Sequence, residues 1–365
     1  MQAVNPQSSA QTSPLAGWVA LRGRPAARSH HDMHTVPMSG PPPIDPAAPL
    51  QFIINAASGR NDTGAKRAVI EAALTSAGRA GELLFARPED LPRVARDAAA
   101  QAVATRTAVV AVGGDGTINA VAHAAHAAGC AMGVLPQGTF NYFARTHGIP
   151  TDPAEAARAL LRSQPVPVQV GVINDQVFLV NASLGLYPDL LQDREAYKAR
   201  FGRSRLVAFG AACITLLRQH RQLRLRIEQG GVVREVRTPT LFVGNNRLQL
   251  EQVGLQIGVD PARALDAGCI AAVMLRPIGT AAMFSLLLRG ALGRLGEADD
   301  VEAFQFHRML VAPKLKPGRR RVKVAFDGEV SWMRSPLEFK VAKQPLYLLK
   351  SSPDASASGP ERSDA

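Results

Sequence analysis

The stretch Ala108–Asn119, which reads AVVAVGGDGTIN, decides the fold class of this chain. A run of small and β-branched apolar residues ends at two glycines, and a carboxylate, a third glycine and a threonine follow. This order predicts a buried strand, a tight turn and the start of a helix. Because glycine lacks Cβ, the backbone of such a turn can adopt positive φ and lie directly against a ligand. Its amide groups are suited to binding phosphate.

Asp115 is the unusual residue of this turn, because an anion repels a phosphate unless a cation lies between them. The residue therefore indicates either a metal-bound phosphate or a carboxylate that orients a hydroxyl group. The alternative is structural: Asp115 or Thr117 would cap the helix that follows an ordinary strand-to-helix turn.

Two further stretches repeat the arrangement. Residues 133–145 read GVLPQGTFNYFAR and residues 52–60 read FIINAASGR, so each places an apolar run before a turn of small and polar residues. The carboxyl ends of parallel strands share one edge of a sheet, where open α/β sheets bind ligands. The sequence therefore predicts three turns that converge on one ligand.

These turns and the later Asp327-Gly328-Glu329 resemble, in order and spacing, the diacylglycerol kinase catalytic-domain family, which includes bacterial lipid kinases and sphingosine kinases. The resemblance covers roughly residues 50 to 349. It implies an α/β fold of two lobes, an N-terminal parallel α/β sheet domain of the NAD kinase/diacylglycerol kinase type and a β-rich antiparallel second domain. It also implies transfer of the γ-phosphoryl group of ATP to a hydroxyl of diacylglycerol or a related lipid, with Mg²⁺ as cofactor.

The resemblance also implies roles for individual residues. Glu329 would be the general base for the lipid hydroxyl, with Asp327 assisting, and Asp115 would act through Mg²⁺ or orient the hydroxyl. The residues expected to bind ATP are Asn55, Ser58, Gly59, Gly113, Gly114, Asp115, Gly116, Thr117, Asn119, Gly138, Thr139 and Asn141. In an extended segment Asp327 and Glu329 would share a face, whereas a turn at Gly328 would alter that geometry. The structural alternative is an ordinary Asp-Gly hairpin turn.

The family also has an Asp-Asp-Gly stretch that binds a structural Mg²⁺ in the second lobe. The matching residues 264–269 read ALDAGC, so the second aspartate of the pattern is Ala267. Asp266 is the remaining candidate metal ligand, which backbone carbonyl groups could supplement.

The order of elements divides the chain. Strands alternating with helices predict a parallel sheet with right-handed crossovers over residues 49–150, the nucleotide-binding domain, which the returning segment 340–350 would join. Short strands with turn signals predict a β-rich substrate domain over 151–339. Residues 1–48 and 351–365 are expected to be disordered tails. Within these domains we expect a helix over 119–128 and one strand over 166–172.

The chain is basic, with 42 Lys and Arg against 30 Asp and Glu. Such an excess favours anionic partners such as nucleic acid, anionic membranes or phosphate-bearing substrates, although it can also simply solubilise a surface. Basic residues bracket the apolar run Leu206–Leu217, which favours docking on an anionic membrane. Met283–Leu295 is a second candidate, and a core helix with a solvated arginine face is the alternative.

Other features narrow the location and the partners. The three cysteines are far apart, which implies neither a disulfide framework nor a zinc site and fits a reducing cytoplasm. No apolar run reaches the roughly 18 residues of a membrane span. No nucleic-acid recognition motif is present, so we expect a lipid substrate at an anionic membrane surface, peripheral membrane association from the cytoplasm and no nucleic-acid partner. The oligomeric state is left open.

Two other functions compete with lipid phosphorylation. An NAD kinase-like protein would also carry GGDGT in a two-lobed fold, but Gly138–Asn141 and Asp327-Gly328-Glu329 fit the lipid group better. A non-catalytic lipid- or nucleotide-binding protein on the same scaffold is the other alternative, and the Ala267 departure favours it.

Overall fold

The structure is a computed structural model that describes residues 40–56, 63–185, 188, 222–245, 268–276 and 301–351. Ser58, Gly59 and Asp266 lie outside these residues. So do the candidate membrane segments Leu206–Leu217 and Met283–Leu295 and most of the two expected tails. In the described part of the chain, no helix is both long enough and apolar enough to cross a lipid bilayer.

The described residues alternate between helices and strands in the first half and consist mainly of strands in the second. The helices are α1 (Thr63–Ala77), α2 (Leu91–Ala104), α3 (Asp115–Ala128), α4 (Tyr142–Thr146) and α5 (Pro153–Leu161). The strands are β1 (Leu50–Asn55), β2 (Gly81–Ala86), β3 (Ala108–Gly113), β4 (Ala131–Pro136), β5 (Gln164–Val168), β6 (Gly171–Ile173), β7 (Gln176–Phe178), β8 (Asn181–Gly185), β9 (Leu223–Gln229), β10 (Val232–Thr238), β11 (Thr240–Gly244), β12 (Ile270–Leu275), β13 (Val301–Phe306), β14 (Arg308–Pro313), β15 (Arg321–Phe326), β16 (Glu329–Arg334), β17 (Leu337–Val341) and β18 (Leu346–Lys350).

The first sheet has the order β2-β1-β3-β4-β18-β5, and its neighbours are parallel except for β5 beside β18. Every residue of β3 is buried. Val109 and Ala111 pack with α2 and α3, whereas Val110 and Val112 pack with α1 and α5 on the opposite face. Burial on both faces explains the continuous apolar run that precedes GGDGT. The predicted parallel α/β sheet is confirmed.

The other two sheets are antiparallel. Their orders are β10-β9-β14-β17-β6-β7 and β13-β12-β11-β8-β15-β16. Phe178 and Phe339 from the first share one apolar cluster with Leu184 and Val324 from the second. Each fully buried side chain of this size stabilises the fold by about 2 kcal/mol. The predicted β-rich antiparallel part is therefore confirmed as two sheets packed face to face.

Helix α3 joins the parallel sheet to the β-rich part. Its Ile118 and Val121 lie in the same apolar cluster as Val177 and Leu179, which belong to β7 and the residues after it. Near the other end of the chain, β18 pairs with β4 and returns the backbone to the first sheet. The helix that begins within GGDGT is thus packed against both parts of the fold.

Several element boundaries differ from the sequence prediction. Helix α3 begins at Asp115, four residues before the predicted start, because Gly114 in extended backbone (φ −84°, ψ −176°) is its N-cap. The predicted strand 166–172 is split between β5 in the first sheet and β6 in the second. The sequence pattern does not indicate β8, β13, β14 or β16 as strands. β16 lies at a sheet edge and exposes Val330 and Trp332, so its sequence lacks a clear apolar face.

Candidate active site

The glycines of the GGDGT turn serve close packing. Gly113, Gly114 and Gly116 are not among the glycines with positive φ, so that expectation was wrong. A Cβ on Gly113 would lie 2.5 Å from Thr117 Oγ1, and a Cβ on Gly138 would lie 2.9 Å from Gly114 Cα. Both distances are shorter than carbon side chains tolerate. Glycine is therefore needed at position 113 because the Thr117 side chain packs against it, and at position 138 because the two turns touch backbone to backbone.

Side-chain hydrogen bonds hold the three turns in place. Asn55 Nδ2 donates to Thr117 Oγ1 at 3.1 Å, which ties the end of β1 to GGDGT. Asn141 Oδ1 accepts from the Gly138 N–H at 2.9 Å while its Nδ2 donates to the Gly138 carbonyl at 3.0 Å. Asn141 has a φ of 48°, in the left-handed region that asparagine tolerates better than most residues. The predicted residues of three separate turns are thus brought together.

A cavity of about 450 Å³ lies between α1 and the turn after β4. Its lining includes the predicted residues Gly138, Thr139 and Asn141, and the additional polar residues Lys66, Gln137 and Arg145. Lys66 is buried, and this desolvation lowers the pKa of its ammonium group. Gln137 Oε1 is buried without a hydrogen-bond partner among the described residues. The cationic side chains of Lys66 and Arg145 suit a ligand with several negative charges. Gln137 Oε1 could accept a hydrogen bond from a donor group of the same ligand.

Asp115, the first residue of α3, lies next to this cavity, because a Cβ on Gly138 would be 3.6 Å from the Asp115 amide nitrogen. Burial raises the pKa of the Asp115 carboxyl, and the nearby backbone amides of Asn141, Tyr142 and Phe143 oppose that shift. Asp115 Oδ1 is buried and has no hydrogen-bond partner in the described part of the chain. A buried carboxylate oxygen without a donor fits a hard cation such as Mg²⁺.

Glu329 comes from the β-rich part and meets the same turn. A Cβ on Gly116 would lie 2.8 Å from Glu329 Oε1, so this carboxylate packs against the backbone at the start of α3. The residue is exposed overall, but desolvation of its carboxyl raises the pKa of Glu329 above the ordinary value. The structure therefore brings together two predicted catalytic residues, Glu329 and Asp115, on either side of one turn.

Asp327 and Glu329 do not share a face, because Asp327 (φ 45°) and Gly328 (φ 89°) form the tight turn between β15 and β16. Positive φ at both positions is the type I′ pattern that Asp-Gly favours in hairpins. The chain therefore adopts the Asp-Gly hairpin turn, and the extended geometry in which the two carboxylates would share a face does not occur here. The turn sends the two carboxylates in different directions, which gives each a separate environment.

Asp327 is buried and accepts four hydrogen bonds. The donors are the N–H groups of Leu179 (2.7 Å), Val180 (2.8 Å) and Asn181 (3.0 Å) and the side chain of Asn119 (2.6 Å). Burial raises the pKa of Asp327 to about 6, against the effect of these donors. Asn119 also donates to the Val177 carbonyl at 3.1 Å. Both residues thus join α3 to the β-rich part. The roles expected of them, assisting the base and binding ATP, stay predictions.

A family model for the diacylglycerol kinase catalytic domain matches residues 49–173, which include the three turns. A protein of Klebsiella pneumoniae (strain 342) named "Probable lipid kinase YegS-like" is 43% identical over 79 residues, 21% of this chain and 27% of that protein. The protein of the same name from Pseudomonas aeruginosa (strain UCBPP-PA14) is 40% identical over 122 residues, 32% and 39% of the two chains. The matched stretches therefore span well under half the length of these relatives.

A longer match extends into the β-rich part. The "Probable lipid kinase YegS-like" protein of Chromohalobacter salexigens is 29% identical over 275 residues, 73% of this chain and 81% of that protein. A crystal structure described as a diacylglycerol kinase from Bacillus anthracis str. Sterne superposes with a TM-score of 0.63 over 84% of this chain and 98% of that chain, at 20% identity. That structural likeness concerns the fold. Together the comparisons confirm the resemblance to the diacylglycerol kinase catalytic-domain family.

Proposed function

We propose that the protein is an ATP-dependent lipid kinase that transfers the γ-phosphoryl group to a hydroxyl of diacylglycerol or a related lipid. The observation that carries the proposal is the contact between Glu329 and Gly116. It places a carboxylate from the β-rich part at the GGDGT turn, next to a cavity lined by cations. Phosphoryl transfer needs positioned phosphates, neutralised charge and a base for the incoming hydroxyl, and these groups supply candidates for each.

Glu329 is the proposed general base. Its raised pKa brings the carboxyl closer to neutral pH, where a base transfers protons most effectively. In the proposed step the lipid hydroxyl oxygen bonds to the γ-phosphorus, the bond from that phosphorus to the β–γ bridging oxygen breaks, and the hydroxyl proton moves to Glu329. ADP and the phosphorylated lipid are the products.

The phosphates of ATP would lie along the turns after β3 and β4, within reach of Lys66 and Arg145. Asp115 Oδ1 is the residue atom that would hold Mg²⁺, and in the described residues no group of three His, Cys, Asp or Glu side chains offers another metal site. When bound, the ion would neutralise charge on the transferred phosphoryl group. Gln137 Oε1 would accept a hydrogen bond from the nucleotide.

The test is phosphoryl transfer from labelled ATP by purified protein, with diacylglycerol vesicles and NAD as alternative acceptors. Glu329→Gln is expected to reduce lipid phosphorylation by about 10²- to 10⁴-fold, the usual contribution of general base catalysis. The wild-type rate should fall at acid pH as Glu329 becomes protonated, and the variant should lack this limb. Labelled NAD phosphate, or full activity in the variant, would contradict the proposal.

A further inference from the structure

The hairpin β15–β16, which carries Glu329, exposes an apolar and cationic outer face. Trp332 is 55% exposed and Val330 is 38% exposed, and both are on the edge strand of their sheet. Trp332 lies opposite Lys323, and Arg334 lies opposite Arg321, so each cation shares a face with its cross-strand neighbour. Val330 and Trp332 lie two residues apart on one strand, so their side chains share a face and form one apolar patch next to cations.

The chain segment that leads into this hairpin adds more positive charge. Between Arg308 and Asp327 the sequence contains no acidic residue. Its exposed cations before β15 are Lys314, Lys316, Arg319 and Arg320. The Arg320 carbonyl accepts a hydrogen bond from the Ser335 amide at 2.9 Å, which holds these residues at the open end of the hairpin beside Arg334. The basic segment and the tryptophan therefore form one surface.

We propose that this surface, defined by Lys316, Arg319, Arg320, Arg321, Lys323, Val330, Trp332 and Arg334, docks the protein on an anionic phospholipid bilayer. Tryptophan favours the boundary between head groups and acyl chains, because its ring is amphipathic. Cations near an anionic leaflet add attraction that salt screens. Duplex nucleic acid would also be attracted by the positive charge. It offers no apolar region for the exposed side chains of Val330 and Trp332, whereas a bilayer does.

The docking surface lies next to the proposed catalytic base, so docking would bring the bilayer close to the active site. This part of the inference rests on the proposed kinase function. Glu329, at the start of β16, faces Gly116, while the next residue, Val330, faces outward. A bilayer held against Val330 and Trp332 would therefore lie one residue from the proposed base. A lipid hydroxyl near the head-group boundary could then reach Glu329 with little displacement from its own leaflet.

The experiment uses the full chain and vesicle binding, which needs no turnover. The sequence has two tryptophans, so Trp18→Phe leaves Trp332 as the single fluorescent reporter. Adding phosphatidylcholine vesicles that contain phosphatidylglycerol should shift its emission to shorter wavelength, whereas pure phosphatidylcholine vesicles should do so much less. Arg321→Gln with Lys323→Gln should weaken binding about fivefold per charge removed, and Trp332→Ala should weaken cosedimentation further.

A matched control is Arg224→Gln with Arg237→Gln, a cross-strand arginine pair of equal charge on β9 and β10. This control should keep vesicle affinity within twofold. The proposal would be overturned if the control variant lost as much vesicle affinity as the hairpin variant. It would also be overturned if anionic vesicles caused no shift of the Trp332 emission, or if duplex DNA caused that shift and vesicles did not.

A water-soluble short-chain diacylglycerol separates docking from catalysis. The hairpin variant should phosphorylate this monomeric substrate at the wild-type rate and lose activity on vesicles alone. An equal loss on both substrates would overturn the docking role. If neither substrate is phosphorylated by the wild type, the proposed function fails, and the vesicle-binding result still decides the docking surface by itself.

Discussion

The turn that carries Asp115 and the hairpin that carries Asp327 treat similar carboxylates in opposite ways. Burial raises the pKa of both side chains. The two oxygens of Asp327 share four hydrogen-bond donors, whereas Asp115 has one oxygen, Oδ1, without a donor among the described residues. A saturated carboxylate fixes the geometry of its neighbours, and an unsatisfied one keeps its capacity for a ligand. Asp327 is thus a structural carboxylate, whereas Asp115 is the one that we propose binds a ligand.

The largest expected effect is on folding, from Asp327→Ala. The substitution leaves three buried N–H groups without an acceptor and removes one of the two acceptors of the Asn119 amide, and each unsatisfied group costs about 1–3 kcal/mol. We expect the free energy of unfolding to fall by about 4 kcal/mol or more, measured by denaturant titration. Asp175→Ala, at an exposed hairpin turn, is the control and should change it little. A loss below about 1 kcal/mol would remove the distinction between the two carboxylates.

Asp115→Asn should do the reverse, with a large effect on activity and little on stability. Asp115 Oδ1 is expected to bind Mg²⁺ when the substrates are bound. Its loss should therefore lower kcat/KM about 100-fold, which is about 3 kcal/mol of transition-state stabilisation. The free energy of unfolding should change by less than about 1 kcal/mol, because the removal of a partly buried charge offsets the loss of its interactions with the backbone amides of Asn141, Tyr142 and Phe143. Asp97→Asn, at an exposed position of α2, is the matched control. Parallel losses of stability and activity would mean that Asp115 is structural as well.

The same contrast explains what the sequence could predict. The GGDGT turn and its two counterparts follow from local patterns, since an apolar run that stops at glycine predicts a strand end wherever it occurs. The role of Asp327 does not follow from a local pattern, because its hydrogen-bond partner Asn119 lies 208 residues away along the chain. An Asp-Gly pair predicts a hairpin and says nothing of which amides surround its carboxylate. The contact of Gly116 with Glu329 depends equally on the packing of distant elements.

The cavity residues show a related limit. A lysine one turn into a helix, such as Lys66, is usually a solvated side chain, so no sequence pattern distinguishes it as a site residue. Its burial beside Gln137 depends on how α1 packs over the turn after β4. The first sheet was predictable because β3 is apolar throughout, whereas β16 was not predictable because four of its six residues are exposed.

Gly116→Ala tests the contact that links the two halves. The added Cβ would lie 2.8 Å from Glu329 Oε1, so the carboxylate must move away from the turn. We expect about a tenfold loss of kcat, equivalent to about 1.4 kcal/mol, and unchanged or slightly higher stability, because alanine favours a helix over glycine by about 1 kcal/mol. Combined with Glu329→Gln the substitution should have no further effect on kcat, since the group it displaces is absent. Additive losses would show that the two residues act independently.

The dependence of stability on pH tests whether burial or hydrogen bonding governs the pKa of Asp327. Burial raises its pKa to about 6 from an ordinary value of 3.8, so the folded state binds the proton more tightly than the unfolded state does. Stability from this group is therefore greatest below the unfolded pKa and is lost as pH rises through the folded pKa, at about 1 kcal/mol per pH unit. The measurement is the free energy of unfolding between these two pH values for wild type and Asp327→Asn, which cannot titrate. If the wild type instead gains stability relative to the variant as pH rises, the four donors outweigh burial, and Asp327 is held as a carboxylate throughout.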